Sequence, residues 1–325
     1  MISDDFPSQP DCDVSIVVPV YRSAEFLAQS VSSICDAMDA RHESFEIVLV
    51  EDGSPDDSWS VVETIQADRP ETITAVQLNR NFGQHNALMC GFRHSRGAII
   101  VTIDDDLQNP ASEIPVLLDA IDSSDADLVY GVPTLKHHAK ARNLGSDFIN
   151  RFFQIVFGTG VRVTSFRAVR RPLISSILTY TLNFTYVDGL LAWNTQKIQS
   201  AAVQHVPRQS GTSGYSIGKL MVLAINLFTN FSVLPLQIAS AIGLTFSAAG
   251  LTAGTYYLVR ALTTSIPVPG YASIIVAVMV LGGIQLLAIG VIGEYVGRMH
   301  LNVNRKPQYS MRCKRLRSVD QANDK

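Results

Sequence analysis

Two long apolar stretches constrain this chain more than any other feature. The first, residues 234–259, carries no charged side chain and has Gln237 as its one amide. The second, residues 271–293, is also free of charge. Each is longer than the ~20 residues a helix needs to cross a bilayer core. The link from Arg260 to Gly270 is short and holds Pro267 and Pro269, so the pair reads as a helical hairpin. The competing reading is two buried helices of a soluble core, and two uncharged stretches in succession weigh against it. Composition agrees with a soluble domain joined to a membrane segment, because 47% of residues are hydrophobic and only 17% charged. Basic residues cluster after the second stretch, at Arg298, Arg305, Lys306, Arg312, Lys314, Arg315 and Arg317, whereas the link has Arg260 alone. The positive-inside rule then puts both termini in the cytoplasm.

The rest of the chain has a different grammar. Short β-branched runs at 14–19, 46–50, 74–78, 99–103 and 128–132 alternate with longer mixed segments. Helix-compatible stretches lie between them, as at 24–40 and 85–94. That alternation implies an α/β domain with an open, mostly parallel sheet covered on both faces. The chain divides into a polar N-terminus (1–13), a cytoplasmic domain (14–215), a juxtamembrane segment (216–232), the hairpin (233–297) and a basic cytoplasmic tail (298–325). Within the juxtamembrane segment, 217–231 suits either the membrane interface or packing against the domain. The tail suits either anionic headgroups or an ordinary topogenic flank. Residues 1–13 show no basic or apolar leader. Cys12, Cys35, Cys90 and Cys313 are widely spaced and read as unpaired thiols.

In an open α/β sheet, ligands bind beyond the carboxyl ends of the strands. The unusual residues of this sequence collect there. Successive strands end at Pro19-Val20-Tyr21, at Glu51-Asp52-Gly53-Ser54, at Asn79-Arg80-Asn81-Phe82-Gly83-Gln84 and at Asp104-Asp105-Asp106-Leu107-Gln108. Asp-Gly-Ser alone is common turn chemistry. Four polar constellations on one edge are harder to attribute to turns. If the acidic triplet continues the strand, Asp104 and Asp106 point to one side and Asp105 outward to the other. Two carboxylates suit Mg²⁺ or Mn²⁺, which keep positions open for phosphate oxygens. Gln108 adds a neutral oxygen. His85, at a helix entry, suits capping or local packing better than catalysis.

These runs resemble glycosyltransferase family 2, and most closely its polyprenyl-phosphate branch. Ser165-Phe166-Arg167, Gly211-Thr212-Ser213-Gly214-Tyr215 and Gly293-Glu294-Tyr295-Val296-Gly297-Arg298 match later motifs of that branch. Tyr21-Arg22-Ser23 departs from the usual Tyr-Asn-Glu, and Gly214 stands where Lys is frequent. The resemblance implies a GT-A-type fold and a metal-dependent transferase. It would move a hexose-type sugar, with inversion, from a nucleotide sugar (UDP preferred) to a polyprenyl phosphate (undecaprenyl preferred). The setting is the inner membrane and cell-envelope glycan assembly, and a homotetramer is allowed. Nucleic acid is not among the expected partners.

Site roles follow from the same resemblance. Tyr21 and Asp52 would contact base or ribose, with Pro19 and Glu51 shaping the pocket and Arg80, Asp104 and Asp105 completing the nucleotide-sugar site. Asp104, Asp106 and Gln108 would hold the metal. Arg167 is the first choice for the acceptor phosphate, because guanidinium matches phosphate bidentately. Arg208 and Arg162 come next, and each is equally suited to a structural ion pair. An ionised phosphate needs no strong base; Asp188 is the best candidate if one is used, with a cap or ion pair as its alternative role. The basic patch Lys136, His137, His138, Lys140 and Arg142 suits an acceptor loop or a solvated helix start. A processive polysaccharide synthase is the runner-up. It would need a Gln-x-x-Arg-Trp motif, and neither Trp59 nor Trp193 follows an arginine. A non-catalytic membrane scaffold is the third reading, disfavoured by the intact triplet.

Overall fold

The computed structural model describes residues 9–133, 160–182, 185–206, 234–263, 270–304 and 306–318. The basic patch at 136–142, Arg208, the 211–215 motif and the 217–231 segment lie outside them. The chain divides into two units. One comprises residues 1–214 with 306–325, and the other residues 215–305.

The first unit is built on one eight-stranded sheet in the order β7-β5-β6-β4-β1-β2-β3-β8. Its strands are β1 (Cys12–Val20), β2 (Phe45–Glu51), β3 (Ile73–Leu78), β4 (Gly97–Thr102), β5 (Leu128–Pro133), β6 (Arg167–Arg170), β7 (Ile198–Val203) and β8 (Met311–Arg315). Helices α1 (Leu27–Asp39), α2 (Ser58–Asp68), α3 (Gln84–His94), α4 (Ile114–Asp122), α5 (Arg171–Leu178) and α6 (Val187–Asn194) connect or flank them. β1 and β2 are buried almost throughout because helices cover both faces, which is why they read as continuous apolar runs. α1 buries Leu27, Val31, Ile34 and Met38 at helical spacing.

The sheet is mixed rather than mostly parallel. β1–β2, β1–β4, β2–β3 and β5–β7 pair parallel. β3–β8, β4–β6 and β5–β6 pair antiparallel. Two of these pairs come from β6, which lies between β4 and β5, and the third from β8 at the edge. The expected basic tail is also partly a strand. β8 runs antiparallel to β3, Arg317 Nε sits 3.2 Å from the buried Glu46 Oε2, and Arg315 pairs with Glu63.

The strand order turns back at β1. β2 and β3 lie on one side of it and β4 on the other, which makes the gap between the ends of β1 and β4 the topological switch point. Pairing of β1 with β4 stops at Val17 opposite Thr102, apart from Ile103 N donating to Val17 O at 3.2 Å. Val20 O accepts from Asp52 N, on the β2 side. By alternation Pro19 faces the β4 side, beyond the last pair, where its missing N–H leaves no ladder bond unmade.

The second unit contains α7 (Leu234–Thr263) and α8 (Tyr271–Val303), which touch one another. Among the described residues one helical stretch, Val280–Val303, is long and apolar enough to cross a membrane, with mean hydropathy 1.6. A shorter apolar stretch covers Leu236–Gly250. The expected pair of spans is therefore met in part: among the described residues one stretch qualifies, within α8.

Candidate functional site

The ends of β1, β2, β3 and β4 are joined to one another by side chains from the loops that follow them. Asp105 Oδ2 accepts from Tyr21 N at 3.2 Å and also from Ser23 Oγ, which ties the end of β4 to the end of β1. Asp52 Oδ1 accepts from Phe82 N at 2.7 Å, and its Oδ2 accepts from Gly83 N at 2.8 Å. That ties β2 to the β3–α3 loop. Gly53 makes the approach possible. It has φ +62°, and a Cβ there would stand 2.3 Å from the carbonyl carbon of Arg80. Glu51 Oε1 accepts from Ser54 N, and Glu51 is buried.

The acidic triplet is a turn, not a continuation of β4. β4 ends at Thr102, and Leu107 has φ 59°. The three carboxylates accordingly take three sets of partners. Asp104 Oδ1 accepts from Gln84 Nε2 at 2.7 Å, and its Oδ2 accepts from Ser165 Oγ at 2.5 Å. Asp106 Oδ1 accepts from Gln108 N at 3.2 Å. Asp105 is not an outward neighbour. It points across to β1, because turn geometry breaks the two-residue alternation on which that expectation rested. Gln108 O accepts from Val206 N at 2.9 Å, so the backbone of Gln108 is engaged at both its N–H and its carbonyl.

Burial pushes these carboxyl groups up. Asp105 is raised to about 7, mainly by desolvation and secondarily by Asp104 and Asp106. Asp104 is raised by burial and by Asp106, with the Ser165 hydrogen bond opposing. Asp52 is raised to about 6 by burial against two backbone donors. Carboxyl groups that resist ionisation in a cluster are a recurrent property of sites that receive a cation or a proton. No group of three or more His, Cys, Asp or Glu residues suited to a metal occurs among the described residues. Two aspartates with phosphate and water completing the shell remain the ordinary donor set of Mg²⁺ or Mn²⁺, so the residues fit.

Behind the triplet lies a buried polar cluster. Arg167, on β6, is 1% exposed. It pairs with Asp188 and donates from Nε to Thr102 Oγ1 at 3.1 Å. Tyr130 OH donates to the same Asp188 Oδ1 at 3.0 Å. Asp188 stands in the first turn of α6, where a negative charge also suits the helix dipole. Thr102 Oγ1 donates in turn to Ser165 O at 2.6 Å. Arg167, the first choice for the acceptor phosphate, is thus held by Asp188, which takes its alternative role as an ion-pair partner, and neither side chain is presented to solvent. His85 Nδ1 accepts from Val187 N at 3.4 Å, and its ring meets Tyr186 edge-on at 4.9 Å. Burial, aided by Arg167, lowers the imidazole to about 4, so it packs as a neutral ring. Tyr21 is 41% exposed. Arg80 is exposed and rests over the Phe82 ring at 4.7 Å. Arg162 is half-buried and has no ion-pair partner among the described residues.

Ser165, Gln84, Ser23, Thr102 and Tyr130 hold the acidic and cationic groups and were not singled out from sequence. The first three sit inside the motif runs, so the signal was there. Tyr130 lies in an ordinary strand run and gave none.

The family model for glycosyl transferase family 2 matches residues 15–178, which span β1 to α5 and hold the triplet and Arg167. The chain belongs to glycosyltransferase family 2. Its relatives include undecaprenyl-phosphate 4-deoxy-4-formamido-L-arabinose transferases. The Enterobacter sp. protein is 34% identical over 300 residues, covering 91% of either chain. The Shewanella sediminis protein is 32% identical, covering 91% of this chain and 90% of its own. As a family 2 member the chain is a glycosyltransferase, on a mixed α/β fold of GT-A type. A structural neighbour is Mycobacterium tuberculosis glucosyl-3-phosphoglycerate synthase, crystallised with Mn²⁺, UDP and phosphoglyceric acid. It superposes with a TM-score of 0.51 at 15% identity, covering 67% of this chain and 77% of its own.

Proposed function

We propose that this glycosyltransferase moves a sugar from a nucleoside-diphosphate donor to undecaprenyl phosphate at the cytoplasmic face of a membrane. The observation that carries the reading is the junction at the switch point, where Asp104 is held by Gln84 and Ser165 and Asp105 is held by Tyr21 and Ser23. Relatives named for undecaprenyl phosphate, matched over nine-tenths of both chains, support the acceptor. The formamido-arabinose of those names makes a pentose derivative as good a candidate as a hexose.

Asp104 and Asp106 would hold Mn²⁺ or Mg²⁺, with Gln108 beside them. The ion would supply positive charge to the departing diphosphate. The protein's own residues do the rest. Tyr21 and Arg80 are open to solvent and are the contacts for base and diphosphate. Asp52 and Glu51 hold the loops that carry them, and Pro19 widens the gap between β1 and β4. An acceptor phosphate oxygen forms a bond to the anomeric carbon, and the bond from that carbon to the diphosphate breaks with inversion. The nucleophile arrives ionised, so no side chain must remove its proton. Arg162 and Arg208 are the cations assigned to that phosphate. Arg167 and Asp188, bound to one another, form the wall behind the reacting groups.

A parity argument supports two membrane crossings. β7 and β8 belong to one continuous sheet, and the 215–305 unit lies between them in sequence. A bilayer cannot divide a sheet, so that unit crosses an even number of times. Two crossings, one each by α7 and α8, meet that condition.

The test is a reaction of the purified chain in detergent with Mn²⁺, undecaprenyl phosphate and a panel of labelled UDP-sugars, with EDTA as control. An organic-soluble labelled product that EDTA abolishes is the expected outcome. NMR of that product reads the anomeric configuration, and retention would reject the single displacement.

A further inference from the structure

The chain that leaves α8 does not simply join the sheet. Gln308 lies five positions beyond Val303, the last residue of α8. Its Nε2 stands 3.2 Å from Tyr180 O, 3.0 Å from Leu182 O and 3.0 Å from Thr185 Oγ1. Two of these acceptors are carbonyls, which can only accept, so the nitrogen end of the amide must face them. Thr185 is buried and immediately precedes Tyr186, whose ring meets His85, and Val187, which opens α6. Asp188 follows on the first turn and holds Arg167. One carboxamide therefore fixes the stretch of chain that delivers Asp188. Two residues further, Asn79 N donates to Ser310 O at 2.9 Å, and Asn79 Nδ2 donates to Ser310 Oγ at 2.9 Å. The return segment is thus anchored at the β3 end as well, while Gln308 ties it to Tyr180, Leu182 and Thr185.

We propose that Gln308 is a positioning residue for the acceptor half of the reaction. It holds Tyr180, Leu182 and Thr185 so that α6 starts where Asp188 can keep Arg167 in the wall behind the reacting groups. This rests on the transferase reading above. Donor binding depends on other loops, those carrying Tyr21, Asp52, Arg80 and the triplet.

The experiment uses the full chain in detergent and three variants. Gln308→Leu keeps the bulk and cannot donate. Gln308→Glu turns a carboxylate toward two carbonyl oxygens. Gln308→Lys restores donors. Two readouts are compared: turnover to organic-soluble product, with the donor that the wild type uses, and Mn²⁺–UDP affinity by calorimetry. The expected result is a fall in kcat of about tenfold or more for Leu, because small misplacements near reacting groups are costly. Glu falls at least as far and Lys recovers part of the loss, while Mn²⁺–UDP affinity stays within about twofold in all three. Wild-type turnover in Gln308→Leu overturns the inference and leaves the transferase reading standing. Equal loss of turnover and Mn²⁺–UDP binding also overturns it, since that marks general unfolding. Absence of product from the wild type removes the reading itself, and the inference with it.

Discussion

Asp105 accepts a hydrogen bond from the backbone N of Tyr21 at 3.2 Å, across 84 positions of sequence. The bond joins the ends of β1 and β4 beyond their last paired residues, at the switch point of the sheet. It gives Asp105 a different job from the two aspartates beside it.

Asp105→Asn keeps an acceptor for Tyr21 N and Ser23 Oγ, so stability and donor KM stay near wild type. Asp105→Ala leaves both donors unmet, which costs roughly 1–3 kcal/mol for a half-buried site of this kind. Thermal melting of the full chain and the KM for the donor read the difference.

Asp104→Asn and Asp106→Asn act on the cation instead. Each removes a carboxylate from a crowded cluster, so the melting temperature holds or rises while turnover falls by about 10²-fold or more. Titration with Mn²⁺ at fixed donor separates the cases. Saturation should move to higher Mn²⁺ in these variants and not in Asp105→Asn.

The Arg167–Asp188 pair is buried, and removal of one member strands the other. Arg167→Met and Asp188→Leu should each destabilise by ~3–5 kcal/mol, and the double variant should recover much of that loss. Denaturant melts of the three proteins, combined as a double-mutant cycle, measure the coupling.

His85 carries a pH signature. Its folded value is lowered to about 4 from an ordinary value near 6.5. The unfolded chain therefore binds the extra proton between those limits. Stability from this group is full above the unfolded value and is lost as pH falls from about 6.5 toward about 4, by roughly 1–3 kcal/mol. Asp52 slopes the other way between about 4 and about 6, because its folded value is raised. The difference in melting between wild type and His85→Gln cancels the Asp52 contribution. It should shrink in favour of the variant as the solution is acidified.

Much of the fold was legible because the central strands are predominantly apolar runs. β1 to β5 could be placed from their short runs rich in Val, Ile and Leu. β6 could not, since Arg167-Ala-Val-Arg170 has no apolar run and owes its place to β4 and β5 on either side. β8 was hidden for a similar reason. Met311-Arg-Cys-Lys-Arg315 has the charge of a tail, yet alternation puts Met311 and Cys313 half-buried and Arg312 outward. In the site, the strand-end motifs pointed to the right edge of the sheet. The direction of Asp105 is not legible in the sequence, because the triplet leaves extended geometry for a turn before Leu107. The partnership of Arg167 with Asp188 joins residues 21 positions apart on different elements, and no local pattern announces it.

The central claim is that Asp104 and Asp106 serve transfer of a sugar to a lipid phosphate. Its most direct test is formation of organic-soluble labelled product from a UDP-sugar panel, Mn²⁺ and undecaprenyl phosphate. Wild type is compared with an Asp104→Ala/Asp106→Ala variant that melts at the same temperature. Product from the wild type and none from the variant is the expected result. Product from the variant at the wild-type rate, or none from the wild type with any donor of the panel, would contradict it.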